Sequence, residues 1–179
     1  LVGIILLYIY FSGIPSYSVE KLDYQVKSTP KSVERGRKLT MMLCANCHMN
    51  SETEKLTGQQ MLDVPASFGK VHSMNITQDK TLGVGDWTDG ELLYLLRTGV
   101  KRKGEYTPPP MVKLPNMADE DINAIISFLR SDNSMVAADP SPKIPSEPSL
   151  LLKVLCRITF KPLPIPAQRI EMPDTTNAV

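Results

Sequence analysis

Two cysteines and a histidine lie close together in the sequence at Cys44, Cys47 and His48. Two thiols separated by two residues on a helical turn can each form a thioether to a vinyl group of a porphyrin. A histidine directly after them can then bind the iron as its proximal ligand. The C-x-x-C-H spacing therefore predicts one covalently attached haem c, held by Cys44 and Cys47, with His48 as the proximal axial ligand.

Two other uses of a C-x-x-C pair are a zinc knuckle and a redox dithiol. A zinc knuckle requires a second Cys/His pair at ligand spacing, whereas the remaining cysteine, Cys156, stands alone far downstream. A thioredoxin-like dithiol lies within a βαβ pattern, and the sequence around Cys44 shows none. Covalent haem is therefore the favoured interpretation.

The second axial position has several candidate ligands, among them nine methionines and His72. Met111 is favoured because it follows three prolines in a rigid extended loop, where its side chain is free of helical constraints. Met117 adjoins the last predicted helix and is expected to pack in the core. His72 would give a bis-histidine haem with a lower reduction potential, although a lone histidine in a polar loop is more often solvated. We therefore predict an iron held by His48 and Met111.

Three helices are expected to position these residues, and each begins with a recognisable signal. The signals are an N-cap followed by proline at Thr29-Pro30, a capping box at Thr88-x-x-Glu91, and an acidic first turn from Asp119. The first helix leads directly into the C-x-x-C-H turn. The last helix runs to Leu129. We therefore predict an all-α haem domain over residues 30–132.

The two ends of the chain differ from this domain in composition. Residues 1–14 begin with eleven uncharged, mostly apolar residues, fewer than the roughly 20 that a membrane span needs. We interpret them as part of a transmembrane anchor, with a signal-peptide core or a buried helix as alternatives. Residues 15–29 are polar and are expected to form a tether between the membrane and the domain.

Prolines are frequent in residues 133–179, and this composition predicts an extended C-terminal arm. Within the arm, residues 149–160 form a short apolar segment. This segment is too short and too charged to span a bilayer. We expect it to lie on a bilayer interface or in a groove of another subunit.

The charges of the chain are nearly balanced, with 20 Lys and Arg against 19 Asp and Glu, so bulk electrostatics implies no nucleic-acid partner. Four basic residues bracket the Met111 loop, and they are expected either to steer an acidic protein partner or simply to be solvated. They are Lys101, Arg102, Lys103 and Lys113.

An iron with two protein ligands is poorly accessible to a small-molecule substrate. This favours an electron carrier over an enzyme. A peroxidase-like haem enzyme and a haem-based sensor are the alternatives, and both require a displaceable sixth ligand.

Several further motifs accompany C-x-x-C-H. They are Asn75-Ile76-Thr77-x-Asp79, Gly83-x-Gly85-Asp86-Trp87-Thr88-Asp89, Leu96-Arg97-x-Gly99, Met111 and Asp119-Glu120-Asp121-x-x-Ala124-Ile125. With these motifs the chain resembles class I c-type cytochromes, and in particular the monohaem modules in the cytochrome c subunits of membrane-bound alcohol and gluconate dehydrogenases. The resemblance covers about residues 30–132. It implies a cytochrome c-like fold whose first and last helices cross, with Gly36 allowing close approach near Phe128.

The same resemblance implies Met111 as the distal ligand and places Asn75, Thr77 and Trp87 near the haem propionates. Arg97 belongs to the Leu96-Arg97-x-Gly99 motif, and we predict that it is also a haem-binding residue. The chain departs from the pattern where Val112 replaces the usual proline and Ala118 replaces a serine. It also carries a single haem motif, whereas the dehydrogenase subunits carry several.

The sequence as a whole predicts a membrane-anchored cytochrome that transfers single electrons within a respiratory or photosynthetic complex. Its expected partners are the other subunits of that complex and membrane lipid. Because thioether attachment of haem takes place on the outer face of bacterial membranes, we expect a bacterial inner-membrane location with the haem domain on the periplasmic side.

Overall fold

The computed structural model describes residues 1–142 and 144–173, which contain six α-helices and two short strands. The helices are α1 (Val2–Ser12), α2 (Pro30–Leu43), α3 (Ala45–His48), α4 (Asp89–Thr98), α5 (Asp119–Leu129) and α6 (Leu150–Ile158). The strands, β1 (Gly69–Lys70) and β2 (Glu147–Pro148), pair in antiparallel register. Single 3₁₀ turns lie at Ala66–Phe68 and Ser134–Val136. Part of the predicted arm, residues 143 and 174–179, lies outside the described residues.

The predicted helix starts of α2 and α4 are confirmed. The Thr29 hydroxyl accepts a hydrogen bond from the Ser32 amide at 3.0 Å, and the Ser32 hydroxyl accepts one from the Thr29 amide at 2.8 Å. Thr88 and Glu91 form the same reciprocal pair, at 3.1 Å and 2.9 Å. Each box satisfies backbone N–H groups that the first helical turn leaves without an intrahelical partner.

Helix α5 begins at its predicted residue but is capped in a different way. Among the described residues, Ala118 at the N-cap provides no side-chain hydrogen bond. The Asp119 amide instead donates to the carbonyl of Ile170 at 2.9 Å. The C-terminal arm therefore supplies an acceptor that the missing serine does not.

Helices α2 and α5 cross in close contact, as the resemblance implied. A Cβ at Gly36 would collide with the carbonyl of Ala124 and lie 2.9 Å from the Cβ of Phe128. Only glycine permits this separation of the two backbones. The main hydrophobic cluster surrounds the crossing, and its fully buried members include Leu56, Val84, Ile122, Ile125, Ile126, Phe128 and Val136.

The C-terminal arm packs on its own chain. Helix α6 buries Leu152 and Cys156 in a second hydrophobic cluster with Val100 and Tyr106. The expectation that the apolar segment requires a bilayer or another subunit was therefore wrong. The groove that receives it is formed by residues far away in sequence, and no local pattern could reveal it.

The arm continues along the domain beyond α6. The Leu163 amide donates to the carbonyl of Thr98 at 3.1 Å, and the Tyr106 hydroxyl donates to the carbonyl of Lys161 at 3.2 Å. These backbone contacts hold a proline-rich segment that has no regular structure of its own. The arm is extended here, as predicted, but it is attached to the domain.

The segment at residues 15–29, expected to be a tether, also lies against the domain. The Tyr17 amide donates to the carbonyl of Gly104 at 2.9 Å, and the Val26 amide donates to a carboxylate oxygen of Asp89 at 3.0 Å. Farther along, the Lys27 amide donates to the side-chain carbonyl of Asn123 at 2.9 Å. These contacts join the segment to the Gly104 turn, α4 and α5.

Helix α1 exposes most of its apolar side chains and contacts α6 at its C-terminal end. The Lys153 ammonium donates to the carbonyl of Tyr10 at 2.7 Å, and the Arg157 guanidinium donates to the carbonyl of Gly13 at 2.9 Å. These two cations therefore satisfy carbonyls at the end of α1, where positive charge is also favoured by the helix dipole. Of the residues that the structure describes, none belongs to a helix long and apolar enough to cross a membrane.

The tight crossing at Gly36 generates the first prediction. A Gly36→Ala variant places a methyl group against the backbone of α5, and overpacking of this kind costs about 3 kcal/mol. Denaturant titration measures the loss of unfolding free energy. Gly3→Ala is the control, because a Cβ there meets no atom within 4 Å. Equal stability of the Gly36→Ala variant and the parent protein would contradict the tight crossing.

Candidate haem site

The C-x-x-C-H residues form a tight turn at the end of α2. The Cys44 amide donates to the carbonyl of Thr40 at 2.9 Å, and the His48 amide donates to the carbonyl of Cys44 at 2.9 Å. Both thiols are free in the described part of the chain. The Ser73 hydroxyl donates to the carbonyl of Cys47 at 2.5 Å and so joins a distant loop to this turn.

The imidazole of His48 is buried and held in one orientation. Its exposed fraction is 8%, and its Nδ1 lies 2.8 Å from the carbonyl oxygen of Met74. A carbonyl only accepts hydrogen bonds, so Nδ1 carries the proton and Nε2 keeps its lone pair. Burial also lowers the pKa of His48, which favours the neutral ring. A neutral imidazole with a fixed second nitrogen is the form that binds iron.

The two thiols are in the protonated form near neutral pH. Burial raises the pKa of Cys44 to about 11, and burial also raises the pKa of Cys47. Thiol reactivity depends on the thiolate, so neither cysteine is activated by its surroundings. This environment does not favour a redox dithiol, in agreement with the sequence argument.

A cavity of about 350 Å³ lies beside the attachment turn, and this volume is within the range of small-molecule and cofactor pockets. Cys47, His48 and Met111 all line it. The Met111 amide donates to the carbonyl of Pro108 at 3.1 Å, which forms the turn that presents Met111. The structure therefore brings together three of the predicted site residues, whereas Cys44 lies outside the lining.

Sequence reasoning did not single out two further methionines that line the cavity, Met61 and Met74. Met74 directly precedes the Asn75-Ile76-Thr77 motif, and this position was the available signal. Its carbonyl orients His48, so it contributes through its backbone as well. Met117, in contrast, packs against the main hydrophobic cluster, as expected.

Asn75 and Thr77 lie in the protein interior, and neither is among the described residues that line the cavity. The Asn75 side-chain oxygen accepts hydrogen bonds from the amide and the hydroxyl of Thr77, at 2.8 Å and 2.7 Å. The Asn75 side-chain nitrogen donates to the carbonyl of Asp139 at 2.9 Å. In this arrangement they stabilise the loop that presents the Met74 carbonyl to His48.

Arg97 is buried at 2% exposure and supports the Met111 loop from the other side. Its guanidinium donates to the carbonyls of Leu114 and Met117, both at 2.7 Å, and to the carboxylate of Asp119 at 2.6 Å. Burial lowers the pKa of Arg97, although an arginine remains protonated under ordinary conditions. Arg97 therefore fixes the segment that follows Met111. It is not itself among the described residues that line the cavity.

Trp87 packs against the main hydrophobic cluster. It, too, is not among the described residues that line the cavity. Its carbonyl accepts a hydrogen bond from Arg130, and the guanidinium of Arg102 lies 5.8 Å from the centre of its ring. A propionate contact for Asn75, Thr77 or Trp87 stays a prediction from the resemblance.

The basic residues around the Met111 loop are largely engaged by neighbours. Lys101 lies 3.3 Å from Glu105, and Arg102 lies 3.6 Å from Asp86 and 3.5 Å from Glu91. The Lys113 ammonium donates to the carbonyl of Pro108 at 3.0 Å, and burial lowers the pKa of Lys113 to about 8. These contacts reduce the positive surface that the sequence suggested for docking an acidic partner.

The residues present fit a covalently attached haem. Two unpaired thiols at the required spacing precede a buried histidine whose Nδ1 is engaged by a backbone carbonyl. The Nδ1 of His72, which also lines the cavity, is buried and has no hydrogen-bond partner within the described ranges. Apolar side chains and the thioethers of Met61, Met74 and Met111 form most of the remaining wall, as a porphyrin pocket requires.

Comparison with known proteins supports a covalently attached haem. The family described as Cytochrome c matches residues 33–132, which span the attachment turn, the Met111 loop and α5. This is more than half of the chain.

Curated relatives match the chain at moderate identity. The fructose dehydrogenase cytochrome subunit of Gluconobacter japonicus is 31% identical over 142 residues, or 73% of this chain and 29% of that protein. The gluconate 2-dehydrogenase cytochrome c subunit of Pantoea cypripedii is 30% identical over 96 residues, 52% of this chain and 21% of that protein. The cytochrome c subunit of the quinone alcohol dehydrogenase of Gluconacetobacter polyoxogenes is 27% identical over 125 residues, 68% of this chain and 26% of that protein. The chain thus spans less than a third of the length of each of these relatives.

The contacts of Arg97 generate the second prediction. Arg97→Lys keeps the charge but cannot form the same fork of hydrogen bonds, so buried carbonyls lose donors at a cost of about 2 kcal/mol. The Leu114 amide, which donates to the carbonyl of Leu96 at 2.8 Å, should exchange its hydrogen faster. Denaturant titration and amide hydrogen exchange measure the two effects. Arg37→Lys is the control, since Arg37 pairs with Glu34 at the surface; a similar response of both variants would refute the specific role of Arg97.

Proposed function

Since the chain belongs to the cytochrome c family, we propose that it carries single electrons through a haem c whose iron is held by His48 and Met111. The observation that carries this proposal is that His48 and Met111 line one cavity beside the attachment cysteines. Family membership implies the covalent haem, and Cys44 and Cys47 have the required spacing. The haem, when bound, supplies reversible exchange between ferrous and ferric iron.

The protein side chains determine how this chemistry is used. His48 offers a neutral nitrogen whose orientation is fixed by the Met74 carbonyl. Met111 offers a thioether, which raises the reduction potential relative to a second histidine. If His48 and Met111 both held the iron, they would leave little access for a substrate, and this arrangement favours electron transfer.

We further propose that the chain acts as a subunit of a membrane electron-transfer complex, respiratory or photosynthetic. The support comes from the relatives, which are named as cytochrome subunits of fructose, gluconate and alcohol dehydrogenases. An oxidoreductase subunit is therefore the kind of electron donor that we expect. Because the chain spans only part of the length of these relatives, we do not assign their substrates to this protein.

We also propose that α1 attaches the protein to the bacterial inner membrane, with the haem domain on the periplasmic side. Its residues are uncharged, and side chains such as Ile4 and Phe11 are 72% and 77% exposed. Lys153 and Arg157 lie at the end of this apolar helix, where basic side chains suit the level of lipid headgroups. An exposed apolar helix with a basic border is typical of a membrane-attached segment.

The ligand assignment gives the third prediction. Met111→Ala should remove the sulfur-to-iron charge-transfer band of the ferric protein, lower the reduction potential and admit external ligands such as imidazole. Optical spectra, redox titration and imidazole binding measure these changes. His72→Ala is the matched control and should leave the band in place. The reverse pattern, with His72→Ala causing the losses, would assign a bis-histidine haem instead.

Membrane attachment gives the fourth prediction. The double variant Ile4→Glu, Phe11→Glu should bind phospholipid vesicles at least about tenfold less tightly than the parent chain, because each buried apolar side chain contributes about 1.5 kcal/mol or more. Vesicle co-sedimentation of the full chain measures the binding. Leu62→Glu is the control, since Leu62 is 83% exposed but lies outside α1. Unchanged binding of the double variant would argue against α1 as the membrane contact.

A further inference from the structure

Part of the cavity wall comes from residues outside the family match at 33–132. Four lining residues belong to the C-terminal arm, and one precedes the domain. They are Pro145, Ser146, Pro148, Leu152 and Ile14. We propose that residues 144–152, which we call the arm wall, form one side of the haem pocket and exclude water from the haem. This inference goes beyond the proposed electron transfer, but it rests on the proposal that the haem occupies this cavity.

The arm wall is attached to the domain through backbone contacts. Strand β2 pairs with β1 in antiparallel register, with Gly69 opposite Pro148 and Lys70 opposite Glu147. The Ser149 amide donates to the carbonyl of Phe68 at 2.9 Å, next to this pair. Backbone pairing of this kind fixes the position of the segment.

Ser146 connects the arm wall to a residue of the opposite lining. Its hydroxyl accepts a hydrogen bond from the His72 amide at 2.9 Å and donates one to the His72 carbonyl at 3.2 Å. Both backbone groups of His72 are therefore bound by a single side chain. Because the His72 side chain also lines the cavity, Ser146 acts as a positioning residue for this part of the pocket.

Helix α6 continues the wall with an apolar side chain. Leu152 lines the cavity and is only 1% exposed, because it also packs in the second hydrophobic cluster. Cys156, one turn later, is fully buried in the same cluster. The end of the arm wall is thus held by a packed core as well as by hydrogen bonds.

The wall changes what can reach the iron. Solvent exposure and local dielectric are among the factors that set the reduction potential of a haem, and water stabilises the more highly charged ferric form. A closed wall therefore raises the potential. It also keeps water-soluble electron donors away from this side of the pocket, so that electron transfer from such donors to the haem is slow.

Gly69→Ala is the variant that opens the wall. Gly69 has a φ of +87°, and a Cβ there would collide with the carbonyl of Glu147 and lie 2.8 Å from the Ser149 nitrogen. We expect a lower reduction potential and about tenfold faster reduction by ascorbate. A tenfold change corresponds to a loss of about 1.4 kcal/mol in the free energy that favours the closed arm over the open arm. Gly85→Ala is the control, since the atoms nearest to its added Cβ belong to Gln78 and Asp79, outside the arm wall.

A milder pair of variants keeps the test decisive if Gly69→Ala fails to fold. Ser146→Ala removes both hydrogen bonds to His72 and should shift the potential and the ascorbate rate in the same directions. Ser146→Thr keeps the hydroxyl and should restore both. Redox titration and stopped-flow reduction are performed on the full haem-loaded chain.

The outcomes separate this inference from the proposed function. If the variants carry covalent haem with an intact ferric spectrum but show the parental potential and rate, the arm wall is refuted and the electron-transfer proposal stands. A pyridine haemochrome spectrum reports thioether attachment independently. Its failure in the parent chain would overturn the proposed function and the arm wall together.

Discussion

At Gly36 the backbone of α2 approaches α5 so closely that the Ala124 carbonyl occupies the place of a side chain. This contact fixes α2, and the attachment turn begins directly after its last residue, Leu43. The opposite side of the cavity depends on α5 as well, because Arg97 joins the segment after Met111 to Asp119 at the start of α5. Both axial candidates are therefore positioned relative to one helix pair. The α2–α5 crossing therefore contributes to the placement of both residues.

The parts of the fold that sequence could predict are those determined by short-range chemistry. Thr29 and Thr88 each satisfy free N–H groups within their own first turn, and this signal is complete within four residues. The C-x-x-C-H spacing is equally local, because the attachment reaction itself requires it. The starts of α2, α4 and α5 and the identity of the attachment residues were for this reason accessible without the structure.

The two end segments could not be predicted in the same way. Whether an apolar segment such as Leu150–Ile158 finds a groove depends on Val100 and Tyr106, about fifty residues earlier. Polar composition likewise suggested a free tether at residues 15–29, although its amides pair with acceptors such as Asp89 and Asn123. Composition reports what a segment can bury or bond, but it does not identify the partner.

The roles of the motif residues could not be predicted from the sequence either. Asn75 and Arg97 were recognisable as special, but polar residues in a motif can act on a ligand or on the backbone around it. In the structure their polar atoms bond to Thr77, Asp139 and the carbonyls after Met111. The paired charges around Arg102 are a similar case, since the acidic partners Asp86 and Glu91 precede it by more than ten residues.

The attachment of the arm has a consequence for the order of folding. Arg157 contacts Gly13, 144 residues away in sequence, and contacts of such separation form late because closing a long loop costs entropy first. Residues 144–152 are also synthesised after every other part of the cavity wall. Cys47 and His48 therefore line an open cleft until residues 144–152 dock on the domain. A large planar cofactor can enter from that side and react with both thiols before the last wall closes over it.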